Sequence, residues 1–242
     1  MFIHYRTQGL ILKRENRGEA NQLFTIYTKD FGKLEITGKA IRKTSSKLRS
    51  GAEIFYLSEI EFIQGKTQKT LTGAILIDKF KNLRKDLKRL KIAYKISEVS
   101  DDLIKEQEPD EKIWSLLNET FQRLNAETLK SLTQDLIYYY FLWNFLSILG
   151  YQLEFYHCTI CQKKLSPENI YFNPKEGGLI CGQCGKSIRL AKKIDSDTVK
   201  IIRILIKRDW PTLERLKIEA RDLKTLRTVS SYYLTEILKE VG

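Results

Sequence analysis

NQLFTIYTKDFGKLEITGKAI, residues Asn21–Ile41, is the stretch that decides the fold class. Two short runs rich in Leu, Phe, Ile, Tyr and Thr flank KDFG, where Gly32 is free to take the positive φ of a hairpin turn. The same texture extends outward on both sides. Upstream lies TQGLILK, Thr7–Lys13. Downstream, EIFYLSEIEFI (Glu53–Ile63) alternates Ile60 and Phe62 with Glu59 and Glu61, and KTLTGAILI (Lys69–Ile77) follows. Strands this short, joined by polar or glycine turns with no helix-length insertion, predict a small closed five-stranded barrel over residues 1–79. An OB-fold or SH3-like barrel suits the pattern best.

The texture changes near residue 80. FKNLRKDLKRLKIAYKISEVSDDLI sets Phe80, Leu83, Leu87, Leu90, Tyr94 and Ile104 close to helical spacing, with charged residues between them. A second helix is expected from about Pro109, and a third, apolar almost all round, from about Thr128 to Gly150. Residues 151–190 carry all four cysteines and have loop-like Gly, Pro and Asn content. Helices resume near Asp195 or Ser196, either of which can serve as N-cap. The expected architecture is therefore α+β and multidomain. An OB-type barrel (1–79) leads into a helical domain (80–150) that carries a metal-binding insert (151–190), and helices at 191–242 complete it.

The formal net charge is +12, with the excess in residues 1–80 and 151–242 around a balanced middle. Such a chain is suited to a polyanionic partner, a nucleic acid or an anionic membrane surface. MFIHYRTQG meets His4, Tyr5 and Arg6 before any apolar signal region can build, which predicts a cytoplasmic protein. The most lipid-like run, LIYYYFLWNFLSILGY (Leu136–Tyr151), contains Asn144 and Ser147 and is shorter than the roughly twenty residues a span needs, so it reads as a core helix. No membrane partner is expected. GKS at Gly185–Ser187 and GKT at Gly65–Thr67 lack the earlier glycine of a phosphate loop, those positions being Ile180 and Ile60. With two histidines in the chain and no nucleophile motif, no enzyme is predicted and no catalytic residue is assigned.

Cys158, Cys161, Cys181 and Cys184 form a C-x2-C-x19-C-x2-C pattern. Each two-residue gap aims a pair of sulfurs at one ion, and the long gap brings the second pair across to complete a tetrahedron. One structural Zn²⁺ with four thiolate ligands is expected. Four thiolates leave no open coordination position for catalysis, and His157 reads as a neighbour rather than a ligand. The strongest binding signal is GKLEITGKAIRKTSSKLRSGAEIF, which between Lys33 and Arg49 concentrates Lys33, Lys39, Arg42, Lys43, Lys47 and Arg49 against Glu35 alone. A flexible basic loop leaving a barrel strand can follow a phosphate backbone. The run KFKNLRKDLKRLKIAYK is as consistent with a solvated helix face as with a binding surface. Barrel aromatics available to stack on bases are Phe24, Tyr27, Phe55 and Tyr56, of which half must face the core.

The order of these parts resembles the RecO family of bacterial recombination mediators. TQGLILKRENRGEANQLFTIYTKDFGKLEITGKAIRK is similar to that family's first barrel strands in order and spacing, and the cysteine insert fits as well. The resemblance covers essentially the whole chain and is most specific over residues 7–55 and the insert. It implies an OB-fold that binds single- and double-stranded DNA and anneals complements during DNA repair and recombination after DNA damage. It further implies work with RecR and capture of the acidic tail of the single-strand binding protein by the helical domain. Loading of the recombinase RecA would follow indirectly, in a bacterial, nucleoid-associated setting. The family's basic segment falls on Lys39, Arg42 and Lys43. The rival expectation is an RNA-binding barrel with a zinc ribbon, serving translation or ribosome assembly.

Overall fold

A computed structural model describes residues 3–105, 107–129, 131–188 and 190–241. The chain divides into two compact units, residues 1–130 and 131–242.

The first unit is built on five strands: β1 (His4–Arg17), β2 (Asn21–Thr28), β3 (Gly32–Gly38), β4 (Leu57–Gln64) and β5 (Lys69–Asp78). They close in the order β1-β2-β3-β5-β4, with β1 antiparallel to both β2 and β4 and with β3 parallel to β5. This order is that of an OB barrel rather than an SH3-like one. Phe24, Ile26, Ile36, Ile60 and Phe62 fill the interior, from alternate positions of β2, β3 and β4. Gly32 turns the β2–β3 hairpin at φ +62°.

Helical pattern gives way at Asp86. The expected single helix from residue 80 is two, α1 (Lys81–Lys85) and α2 (Leu87–Leu103), because Asp86 is extended and its carboxylate caps α2 by accepting from the Lys88 and Arg89 N–H groups. Asp110, not Pro109, caps α3 (Glu111–Asn125), accepting from Lys112 and Ile113. These three helices belong to the barrel's compact unit, so the strand-to-helix change near residue 80 is not where the two units part. Phe55 explains part of this: fully buried, it packs on Tyr94 of α2 and Phe121 of α3.

The second unit centres on α4 (Ser131–Ile148), whose Tyr140, Phe141, Phe145 and Leu146 are fully buried. Asn144 is tolerated there because its amide donates to the Tyr140 and Leu205 carbonyls and its oxygen accepts from Arg208. No described helix is long and apolar enough to cross a membrane. The cysteine region is more ordered than a loop-rich insert. It contains β6 (Ile170–Asn173), β7 (Gly178–Ile180), a one-turn α5 (Gly182–Gly185) and β8 (Lys192–Ile194), sheeted in the order β7-β6-β8. Helices α6 (Ser196–Ile206), α7 (Trp210–Arg215) and α8 (Ala220–Val241) complete the unit, with Asp195 capping α6. Phe172 of β6 and Phe155 share one aromatic cluster with Trp143 of α4 and Tyr233 of α8. The insert is thereby part of this unit's core.

Candidate nucleic-acid interface and metal centre

The thiols of Cys158, Cys161, Cys181 and Cys184 all lie within 4.8 Å of one another. Cys161 and Cys181 are 3.9 Å apart, close to the roughly 3.8 Å that a tetrahedron with 2.3 Å metal–sulfur bonds requires. Two backbone devices set this geometry. The first knuckle closes through Gln162 N–H to the Cys158 carbonyl, and Thr159 N–H donates to Leu179 of β7, the strand that runs straight into Cys181. The second knuckle is α5, with Gly185 N–H donating to the Cys181 carbonyl. Gly185 must be glycine, since a Cβ there would stand 2.5 Å from the Tyr171 ring.

Burial opposes ionisation of Cys158, yet N–H groups of Cys161, Cys181 and Ile160 aimed at its sulfur draw it well below the usual thiol range. Cys184 is pushed up, chiefly by its hydrogen bond with Cys181. The set is therefore four soft sulfur donors with backbone N–H support, a donor set that fits Zn²⁺. His157 is half exposed, its Nδ1 3.8 Å from Glu154, and it is not a member of the cluster.

The basic stretch after β3 is ordered rather than flexible. Ile41 is 1% exposed inside the barrel core, Ala52 joins it, and Leu48 packs against the same cluster. Between them runs a single 3-10 turn, Lys47–Ser50. Arg42 N–H donates to the Ala20 carbonyl and its guanidinium to the Gly18 carbonyl, while Ala40 N–H donates to the Asn21 side chain. The stretch is thus a cap seated on the end of the barrel, fastened to the β1–β2 turn. Lys39, Arg42, Lys43, Lys47 and Arg49 are all exposed on it, and none has an ion pair among the described residues.

Lys33 lies elsewhere. Its ammonium donates to the Asp101 carbonyl at 2.7 Å and to its carboxylate at 3.1 Å, and its side chain is only 16% exposed. That contact is part of a strap across β2 and β3. Tyr27 O–H donates to the Asp110 carbonyl, the Gly32 Cα faces the Glu108 carbonyl so closely that a Cβ would come to 2.3 Å, and Lys69 donates to Gln107. OB barrels commonly bind oligonucleotides on their strand 2–3 face; here the segment around Gln107–Asp110 and the Asp101 end of α2 cover it. Burial under the strap pushes the Tyr27 phenol up to about 12. Of the four aromatics considered for stacking, Phe24, Tyr27 and Phe55 are wholly buried, and half-buried Tyr56 lies under the Arg84 guanidinium. The run on α1 and α2 is also partly structural: buried Arg89 donates to the Leu124 and Ala126 carbonyls at the end of α3.

The family model described as Recombination protein O N terminal matches residues 1–80, and that described as Recombination protein O C terminal matches residues 84–240. The chain belongs to the RecO family. Among similar curated proteins, a DNA repair protein RecO of Dehalococcoides mccartyi is 31% identical over 222 residues, covering 92% of this chain and 86% of that protein. A Roseiflexus protein of the same name is 30% identical over 235 residues, 97% and 81% of the two chains. One from Alkaliphilus metalliredigens is 28% identical over 237 residues, 98% and 95%.

Sequence reasoning missed the strap in this RecO-family chain. Its signal is thin: QEPD, Gln107–Asp110, has no periodicity.

Proposed function

We propose that this chain is a non-enzymatic DNA-binding mediator of DNA repair, in which Lys39, Arg42, Lys43, Lys47 and Arg49 hold single-stranded DNA along the barrel cap. The observation that supports this most is the cap itself: five exposed cations without ion pairs, pre-seated by Ile41 and Leu48 in a RecO-family barrel. Because the cap is already ordered, binding costs little loop entropy. Neutralising two strands at once lowers their repulsion, and base pairing then supplies the free energy of annealing, so no nucleotide hydrolysis is required. Double-stranded DNA is a second ligand of the same charges. Work with RecR, capture of the acidic tail of the single-strand binding protein, and indirect help in loading RecA at the nucleoid in the cytoplasm complete the reading, as in the family it resembles. The four cysteines hold one Zn²⁺ whose role is to brace the second unit.

Salt-titrated fluorescence anisotropy with a labelled oligonucleotide tests the interface. If five phosphates are neutralised, log K falls against log salt with a slope of about −3.5. Lys39→Glu with Arg42→Glu weakens binding and flattens that slope by at least about 1.4. Unchanged affinity and slope would remove the cap from the assignment. Annealing of strands precoated with single-strand binding protein tests the mediator role separately.

A further inference from the structure

A cavity of about 540 Å³ opens between β1 and α2, wholly inside the first unit. Its helical wall is one stripe of α2, with Tyr94, Ser97, Glu98 and Asp101 at i, i+3, i+4 and i+7 and Asp102 beside them. Its barrel wall is Leu12, Lys13 and Arg14, set at a β-bulge where the register with β2 shifts between Ile11 and Lys13. Phe55 touches both walls, the barrel wall through the backbone and the helical wall through its ring. Phe55, at φ +61°, donates its N–H to the Ile11 carbonyl, Ile11 donates back to Tyr56, and the Phe55 ring packs on Tyr94 at 4.8 Å.

The charges in this cavity are unevenly used. Lys13 pairs with Glu15 and Asp101, Asp101 also holds Lys33, and Arg14 pairs with Glu53. Glu98 and Asp102 have no ion pair among the described residues. Ser97, the residue before Glu98 on the same helical wall, is only 5% exposed, and its hydroxyl is buried without a hydrogen-bond partner. Tyr94 presents a ring that is 53% exposed. In a chain of net charge +12, a rigid cavity with two spare carboxylates repels phosphate and attracts a cation. A flat, delocalised cation suits it best. A guanidinium can lie on the Tyr94 face, chelate a carboxylate through paired N–H groups, and supply the donor the Ser97 hydroxyl lacks.

We propose that this cavity is a docking site for an arginine side chain carried on a basic segment of a partner protein. The site is separate from the cap, so protein and DNA can be held at once by the first unit.

The test uses the full chain and a fluorescein-labelled hexapeptide carrying one arginine among glycine and leucine, beside the same peptide with neutral citrulline. The arginine peptide should bind saturably and the citrulline peptide at least about tenfold more weakly. Glu98→Gln with Asp102→Asn should weaken the arginine peptide by a similar factor, leaving the melting temperature and DNA affinity of the parent. Ser97→Ala should weaken it a few-fold while the melting temperature holds or rises, an outcome that a purely structural serine would not give. Equal binding of both peptides, or full binding by the Glu98/Asp102 variant, would overturn the proposal. So would no saturable binding at millimolar peptide, or displacement by free spermidine as effective as by the peptide, which would mark a small-amine site.

Discussion

The cap and the cysteine knuckles spend their polar groups in opposite directions. At the knuckles, Cys158 is buried, the other three cysteines are partly so, and all four sulfurs converge on one another within 4.8 Å, with the Cys181 N–H pointing at Cys158. At the cap, the apolar residues Ile41 and Leu48 turn inward and the cations are left outside, unpaired. The chemically conspicuous region is therefore the internally satisfied one, and the plainer region carries the unspent charge. What a residue can do for function follows from what the fold has left it, not from how reactive its type is.

Emptying the Zn²⁺ site we propose at the knuckles is the strongest way to break this contrast. Cys158→Ser, or a chelator on the full chain, should destabilise the second unit strongly, since structural Zn²⁺ sites supply roughly 10–16 kcal/mol of binding free energy. Hydrogen exchange should then show lost protection within residues 131–241 while residues 4–103 keep theirs. Loss of protection in the barrel would mean that the knuckles govern both units.

Ile41→Ala should cost about 2–4 kcal/mol by leaving a void in the barrel end. It removes no charge, yet it should weaken DNA binding because the cap must then be ordered on contact. A melting curve together with an anisotropy titration separates the two effects. Intact affinity in a destabilised variant would show that charge alone, not seating, makes the interface.

Asp101→Asn should cost roughly 1–3 kcal/mol, since it loosens Lys33 and Lys13 at once. Burial raises the Asp101 carboxyl, but Lys33 and Lys13 outweigh it and the net shift is downward. A depressed carboxyl contributes stability above its ordinary range and loses it as pH falls through the folded value. Urea midpoints of the parent should therefore fall below about pH 4 more steeply than those of the Asn variant. The smallest effect is expected at His157→Ala, within about 0.5 kcal/mol and without loss of bound metal, because the residue is half exposed and outside the cluster. Metal analysis of the purified variant checks it.

Much of the scaffold was legible because its signals are local. A run rich in Leu, Phe, Ile, Tyr and Thr located β2 at its observed ends, Gly32 marked its hairpin, and the cysteine spacing foretold the cluster. What stayed hidden depends on contacts far apart in sequence. Alternation puts Phe24 inside the barrel and Tyr27 outside it, but Tyr27 is buried too, because the strap 83 residues later covers it. Lys33 reads as one more cation of a basic run until Asp101, 68 residues on, claims it. The helix break at Asp86 fell inside an unbroken periodic pattern, where a capping carboxylate outweighed propensity. The flexible look of the cap came from its serines and glycines. Two apolar residues among them, Ile41 and Leu48, were enough to seat it.

The closing strands of the barrel have a consequence for its birth. β1 needs β4 as a neighbour, His4 pairing with Ile63, and β3 meets β5 only at Ile36–Lys69 and Thr37–Thr70. The ring cannot shut until residue 78 has left the ribosome, nor can its strand 2–3 face be covered before residue 110. At roughly 5–20 residues per second, the nascent sheet stays open for some seconds. During that interval β1 to β3 offer unpaired strand edges to any neighbouring chain, and the apolar Ile75–Ile77 stretch, still exposed in the finished fold, is the last strand segment to arrive. The ribosome-bound stage is where this protein is most vulnerable to pairing with the wrong partner.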